Sequence, residues 1–160
     1  MRRAFRDGAE LGPREDMAVC SLFGGLALAN AKLGAVHGFA APIGGQFTAP
    51  HGAVCARLLP LVIQANVAAL RARAPGDALL PRFVEVARAL TGNPAATIEE
   101  GIGFVEELAR ELAVPGLASY GMTVADIPSV VAKASAASSM KGNPIALNTQ
   151  ELTRILERAL

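Results

Sequence analysis

An all-α fold, a bundle of about six to eight helices, is what this sequence predicts, and three observations predict it. Apolar residues recur at helical spacing along most of the chain, with capping residues and Gly or Pro between the runs. No stretch alternates polar and apolar residues between hairpin turns, as half-buried strands do. The apolar content is aliphatic and small: 52% of residues are hydrophobic but only 4% aromatic, with no Trp and one Tyr. Small side chains let helix backbones approach closely. With 160 residues and only 18% charged, the chain is long enough to bury a core and too apolar to be disordered.

Residues 1–12 are mixed and polar and read as a tail. Gly12-Pro13 opens the first long helix, since Pro is tolerated in a first turn and Glu15-Asp16 suit the positive end. The pattern runs to about Lys32, and Gly34 is the expected stop. Being apolar all round, this helix is expected at the centre of the fold. Its uncharged stretch, residues 17–31, is about 15 residues long against the ~20 that a bilayer requires. It also holds Ser21, Asn30 and a Gly24-Gly25 pair, so a helix buried in protein is expected rather than a membrane span. The charged first residues do not resemble a secretion signal, and a cytoplasmic location is expected.

Residues 34–50 hold Gly34, Gly38, Pro42, Gly44, Gly45 and Pro50 and yet are not hydrophilic. An irregular, non-helical segment packed inside the protein is expected there. A second helix begins at His51, with a kink or break near Leu59 because Pro60 lacks a donor and clashes one turn back. Residues 71–76 read as a solvated turn, Asp77 as the cap of a helix to about Leu90, and Gly92-Asn93-Pro94 as a loop. Thr97-Ile98-Glu99-Glu100 is a capping box ahead of the stripe Ile98, Ile102, Val105, Leu108 and Leu112. Pro115-Gly116 ends that helix. Another is expected over residues 126–137, and a second box, Asn148 with Glu151, opens a short helix ending at Leu160.

The net charge of +1 and the lack of a basic run argue against nucleic-acid binding. Cys20 and Cys55 fit no metal-knuckle spacing and no disulfide framework, and are expected as buried free thiols in a reducing compartment. The two histidines, His37 and His51, flank the glycine-rich segment, and each precedes a glycine. Neutral imidazole is the commonest metal ligand, and two imidazoles framing one stiff segment suit a metal site. The same pattern also fits two histidines satisfied inside a core. Two ligands do not close a site, and no Asp or Glu lies between Asp16 and Asp77. Cys55, one helical turn beyond His51, is within reach as a thiolate. Other ligands must come from elsewhere in the fold or from another polypeptide.

At these residues the sequence resembles the iron-containing alcohol dehydrogenases, whose superfamily includes maleylacetate reductase, glycerol dehydrogenase and dehydroquinate synthase. The resemblance rests on Asn30 before Gly34-Ala35-Val36-His37, then Pro42-Ile43-Gly44-Gly45, then Pro50-His51-Gly52, then a helix running into Leu59-Pro60. The run at 139–144, Ser-Met-Lys-Gly-Asn-Pro, followed by a short acidic helix, is similar to the family's C-terminal end.

The resemblance implies a dehydroquinate synthase-like C-terminal α-domain, with residues 1–160 as one helical metal-binding domain and the Rossmann-like NAD(P)-binding domain absent. It implies His37 and His51 as metal ligands for Fe²⁺ (or Zn²⁺), the remaining Asp and His lying upstream. NAD(P) is implied only if the nucleotide-binding domain is present. Leu28, Ala41 and Ser139 fall where relatives line the substrate pocket. Ala41 also stands where the family usually carries a second His, near the nicotinamide and linked to proton handling. The implied activity is hydride exchange between a small alcohol or aldehyde and a nicotinamide. An apolar face is expected where the nucleotide-binding domain docks, and with it homo-oligomer formation. The alternatives are a catalytically inactive truncated homologue serving as a helical dimerisation or interaction module, and a structural metal site shared with a second copy.

Overall fold

The computed structural model describes residues 1–160 and contains eight α-helices and no strand. They are α1 (Arg2–Arg6), α2 (Leu11–Asn30), α3 (Ala35–Gln46), α4 (His51–Arg73), α5 (Leu79–Thr91), α6 (Ile98–Glu111), α7 (Ile127–Ala136) and α8 (Thr149–Ala159). Short 3₁₀ turns join the later helices at Leu117–Tyr120, Val124–Asp126 and Ser138–Gly142.

The core gathers around α4. Its residues Val54, Leu58, Leu61 and Val62 meet Phe39 and Ile43 of α3, Val130 and Ala134 of α7, and Leu152, Ile155 and Leu156 of α8. A smaller cluster joins Val67 of α4 to Ile98 and Ile102 of α6, with Phe83 and Leu80 of α5 packed on it. There α5 and α6 approach closely: a Cβ on Gly101 would lie 2.8 Å from the Cα of Ala87. Helix α4 is long and apolar enough by length and composition to cross a membrane, but half of that stretch is buried in the protein, as a core helix requires.

Both expected capping boxes form. Thr97 accepts from the Glu100 N–H while Glu100 accepts from Thr97, and Asn148 and Glu151 do the same at α8. Asp77 accepts from the Leu79 N–H at 2.8 Å, and Gly92 closes α5 in the left-handed region at φ 69°.

Several expectations are corrected. Residues 35–46 of the glycine-rich segment are helical, with Pro42 inside α3. Packing overrides propensity here, because Ala35, Gly38, Phe39, Ala40 and Ile43 are all buried. Gly38 packs under Met140: a Cβ there would lie 2.7 Å from its Cε, so the end of that flexible side chain would have to move. Likewise α4 runs unbroken through Pro60, because Leu58, Leu61 and Val62 are held in the core on both sides of the missing hydrogen bond. It also continues to Arg73, where the guanidinium pairs with Glu151 and donates to the Ala146 carbonyl at 2.8 Å, so residues 71–73 are not part of a turn. Gly34 does not stop α2, which ends at Asn30; it precedes α3 in an extended conformation. The expected tail contains the short helix α1, which Arg2 ties to α6 through Glu111 and the face of Phe104.

The largest departure is α2. It was expected at the centre, yet Pro13 is its only buried residue. Leu22 and Phe23 are each 62% exposed. The chain turns by 103° between α2 and α3, and beyond its contact with α1 the long helix is left largely uncovered.

What places α3 on α4 is a polar clamp. Asn143, in the loop after α7, accepts from the Ala35 N–H at 3.0 Å and so supplies the cap that Gly34 lacks. Its amide also donates to Asn66 Oδ1 at 2.6 Å and to the Ile145 carbonyl at 2.8 Å. Asn66, on α4, is the one buried polar residue of the core. The loop fits tightly beneath the α2–α3 turn, where a Cβ on Gly142 would collide with the Leu33 carbonyl.

Replacing Asn143 with Ala leaves the Ala35 N–H and the Asn66 amide without partners, and is expected to cost about 1–3 kcal/mol in urea unfolding at constant slope. Leu22→Ser and Phe23→Ser, on the uncovered helix, are expected to move stability by no more than about 0.5 kcal/mol. A loss at α2 as large as that at Asn143 would show that the helix is packed.

Candidate metal centre

Each candidate ligand sits at the start of a helix. His37 is in the first turn of α3, and His51 is the first residue of α4. Because α3 packs along α4, the two first turns lie side by side. The imidazole ring centroids are 5.4 Å apart, with the planes tilted by 50°. Cys55 follows one turn after His51 on α4, and its Sγ lies 3.5 Å from His51 Nε2. His37, His51 and Cys55 each offer a ligand atom within 4.8 Å of those of the others.

The three side chains differ in exposure: His51 is open to solvent, while His37 and Cys55 are half-buried. Desolvation holds the His37 imidazole below its ordinary range, and the neighbouring His51 pushes it in the same direction. The neutral form, with a free lone pair, is thereby favoured, and that is the form that binds a metal ion. Burial raises the Cys55 thiol. Both cysteines are free but neither is fully buried, and Cys20 is exposed on α2; this corrects the expectation for them.

Beside the trio runs an apolar groove of about 480 Å³. His37, Cys55, Leu59, Val62, Phe83 and Asn143 are among the residues lining it. The three positions expected to line a substrate pocket are not among these. Leu28 is 53% exposed on α2. Ala41 is exposed on α3, one turn beyond His37 on the same helix face. Ser139 belongs to the Ser138–Gly142 turn that packs on α3. Sequence reasoning missed Asn143 and Asn66, which set the α3–α4 register and thus bring His37 to His51. The only available signal was the Gly142-Asn143-Pro144 run, which carries no partner information by itself.

Two imidazoles and a thiol within 4.8 Å of one another on an all-helical scaffold form a donor set of the kind that transition-metal proteins use. The comparisons give the family. Residues 1–160 match the Fe-containing alcohol dehydrogenase family, C-terminal part, and the chain belongs to that family. The 1,3-propanediol dehydrogenase of Klebsiella pneumoniae is 31% identical over 165 residues, covering 99% of this chain and 40% of that protein. Alcohol dehydrogenase 4 of Saccharomyces cerevisiae is 29% identical over 157 residues, covering 98% of this chain and 39% of that protein. The crystal structure of a 1,3-propanediol oxidoreductase superposes with a TM-score of 0.85 at 30% identity, over 99% of this chain and 41% of the other. The chain thus spans about two fifths of the length of these relatives.

In the metal-free chain, His37 is expected to titrate below 6.5 in an NMR pH series, and His51→Ala is expected to raise it part of the way back. The sign for stability follows. The unfolded chain takes up this proton first as pH falls, so stability declines as pH drops through 6.5 and levels off below the depressed value. Titration of His37 at or above 6.5 would contradict the desolvated setting.

Proposed function

We propose that this chain is the helical domain of an NAD(P)-linked alcohol dehydrogenase or aldehyde reductase, and that His37 and His51 hold its catalytic metal ion, Fe²⁺ or Zn²⁺. The observation that carries this is the 5.4 Å approach of the two imidazoles from separate helices, with His37 lining an apolar groove. The donor chemistry fits, since neutral imidazole suits both ions. A divalent ion held there supplies Lewis-acid polarisation of an alcohol or carbonyl oxygen.

The chain's own residues set the stage for that chemistry. His37 and His51 donate lone pairs from two helices locked together by Asn143 and Asn66, so the donor spacing is fixed by the core rather than by a loop. Leu59, Val62 and Phe83 line an open apolar groove that offers apolar contact to a small alcohol or aldehyde. The nicotinamide is brought by a separate nucleotide-binding domain, and an upstream Asp and His complete the metal site. The uncovered face of α2 provides apolar surface for contact with the rest of the protein or with a second copy. The setting for this reading is a cytoplasmic, homo-oligomeric enzyme.

A second reading, an inactive homologue acting as a dimerisation module, has the exposed α2 in its favour. Metal content separates the two. Joined to the upstream segment that supplies the other ligands, the chain is expected to hold Fe²⁺ or Zn²⁺ stoichiometrically by elemental analysis after reconstitution, and His37→Ala or His51→Ala is expected to abolish this with the helical circular-dichroism signal unchanged. Equal metal in both variants would overturn the assignment. The chain alone is expected to show no NAD(P)-dependent alcohol oxidation, and turnover by it would show that no second domain is needed.

A further inference from the structure

We propose that α2 is a core helix of the longer protein, enclosed on two sides by helices of the same polypeptide that lie ahead of residue 1. The inference deepens the proposed function and rests on its upstream part. It assigns α2 to the inside of one polypeptide rather than to a surface between two copies.

Two faces of the helix are bare, not one. Val19, Leu22, Phe23 and Leu26 recur at the spacing i, i+3, i+4, i+7 and form one stripe. Ser21, Gly24, Gly25 and Leu28 repeat that spacing two residues further on, which at about 100° per residue places them on the opposite side. Every residue from Ala18 to Asn30 is exposed, and no charge lies between Asp16 and Lys32. The glycine pair is an independent sign. Glycine inside a helix lowers its stability relative to alanine, and a close neighbour that needs the room offsets that loss. A Cβ at Gly101 of α6 would lie 2.8 Å from the Ala87 Cα, whereas one at Gly24 or Gly25 meets no atom within 4 Å. The room at Gly24 and Gly25 suits a helix crossing at close range, which residues 1–160 do not supply.

A second copy meets half of this requirement. Two-fold pairing applies the same patch of each protomer to the other, so an α2–α2 contact covers one face and leaves the opposite face in water. A helix lying in a lipid surface likewise buries one face. Enclosure from two sides needs elements on both, and the polypeptide itself is placed to supply them. The family match is to the C-terminal part, and the chain covers 40% of the Klebsiella protein, so most of the further length of such a protein precedes the matched part. A segment ahead of residue 1 enters through α1, which Arg2 fastens to α6 through Glu111 and which packs on α2. It therefore emerges beside the helix that needs cover.

Cys20 is exposed on α2 and reports its cover. The full-length protein and residues 1–160 alone are labelled with iodoacetamide, and the rate at Cys20 is read by peptide mass spectrometry. Cys20 is expected to react at least about tenfold more slowly in the full-length protein, at every protein concentration. The double variant Leu22→Asp, Phe23→Asp is expected to leave the melting temperature of residues 1–160 unchanged and to lower that of the full-length protein. Labelling of residues 1–160 that slows with rising concentration to the full-length rate marks a second copy as the occupant and overturns the inference. Equal labelling in the two forms, or a coding sequence that opens at residue 1, overturns it as well. Metal content of the full-length protein keeps the two readings apart. Protection of Cys20 without bound metal removes the metal assignment alone, and bound metal with Cys20 open removes the enclosure alone.

Discussion

The architecture depends on one side-chain amide. Asn143 reaches from the loop after α7 to the first turn of α3 and to Asn66 on α4, joining three elements distant in sequence. A buried helix start without an acceptor would leave backbone N–H groups unpaired, and a buried Asn66 without partners would be costlier still. Each group needs the other two in place. No buried side-chain polar atom in the protein is left without a partner. The clamp acts together with the packing of Phe39 and Ile43 on Val54 and Leu58 to hold α3 along α4, where His37 lies beside His51.

Helix α3 shows what that register requires. Its sequence, with three glycines and a proline, has poor intrinsic helicity. The small residues are useful once the helix is packed: Gly38 admits Met140, and Ala35 and Ala40 let α4 and α7 come close. A better helix former at Gly38 would raise local propensity but displace the end of the Met140 side chain. Stability and site geometry are thus drawn from the same packing, and the weak helix is stable only as part of the whole.

Helix α2 lies at the opposite extreme. Its composition is that of a buried helix, yet Leu22, Phe23 and Leu26 face solvent. The relatives that this chain matches are about two and a half times longer than the portion it represents, which agrees with apolar surface suited to further protein. The proposed metal site has the same character. Its donors come from two helix starts and one following turn, on the open side of the core rather than within it, where groups from outside the chain have access.

The sequence by itself determined the fold class and the starts of the capped helices α6 and α8, because those signals are local. Thr97 with Glu100 and Asn148 with Glu151 each satisfy backbone donors three residues away, and the stripe at Ile98 and Ile102 marks a core-facing side whatever it meets. It also singled out His37 and His51, since their residue types and flanking glycines are visible without coordinates. Tertiary structure alone decided that the segment between them is helical, that Pro60 does not break α4, and that α2 lies uncovered. These outcomes turn on contacts between residues far apart in the chain, such as Gly38 with Met140 and Asn143 with Ala35, whose energies exceed the local preferences of glycine and proline. The meeting of the imidazoles belongs to the same class, being set by a helix register that no short window of sequence contains.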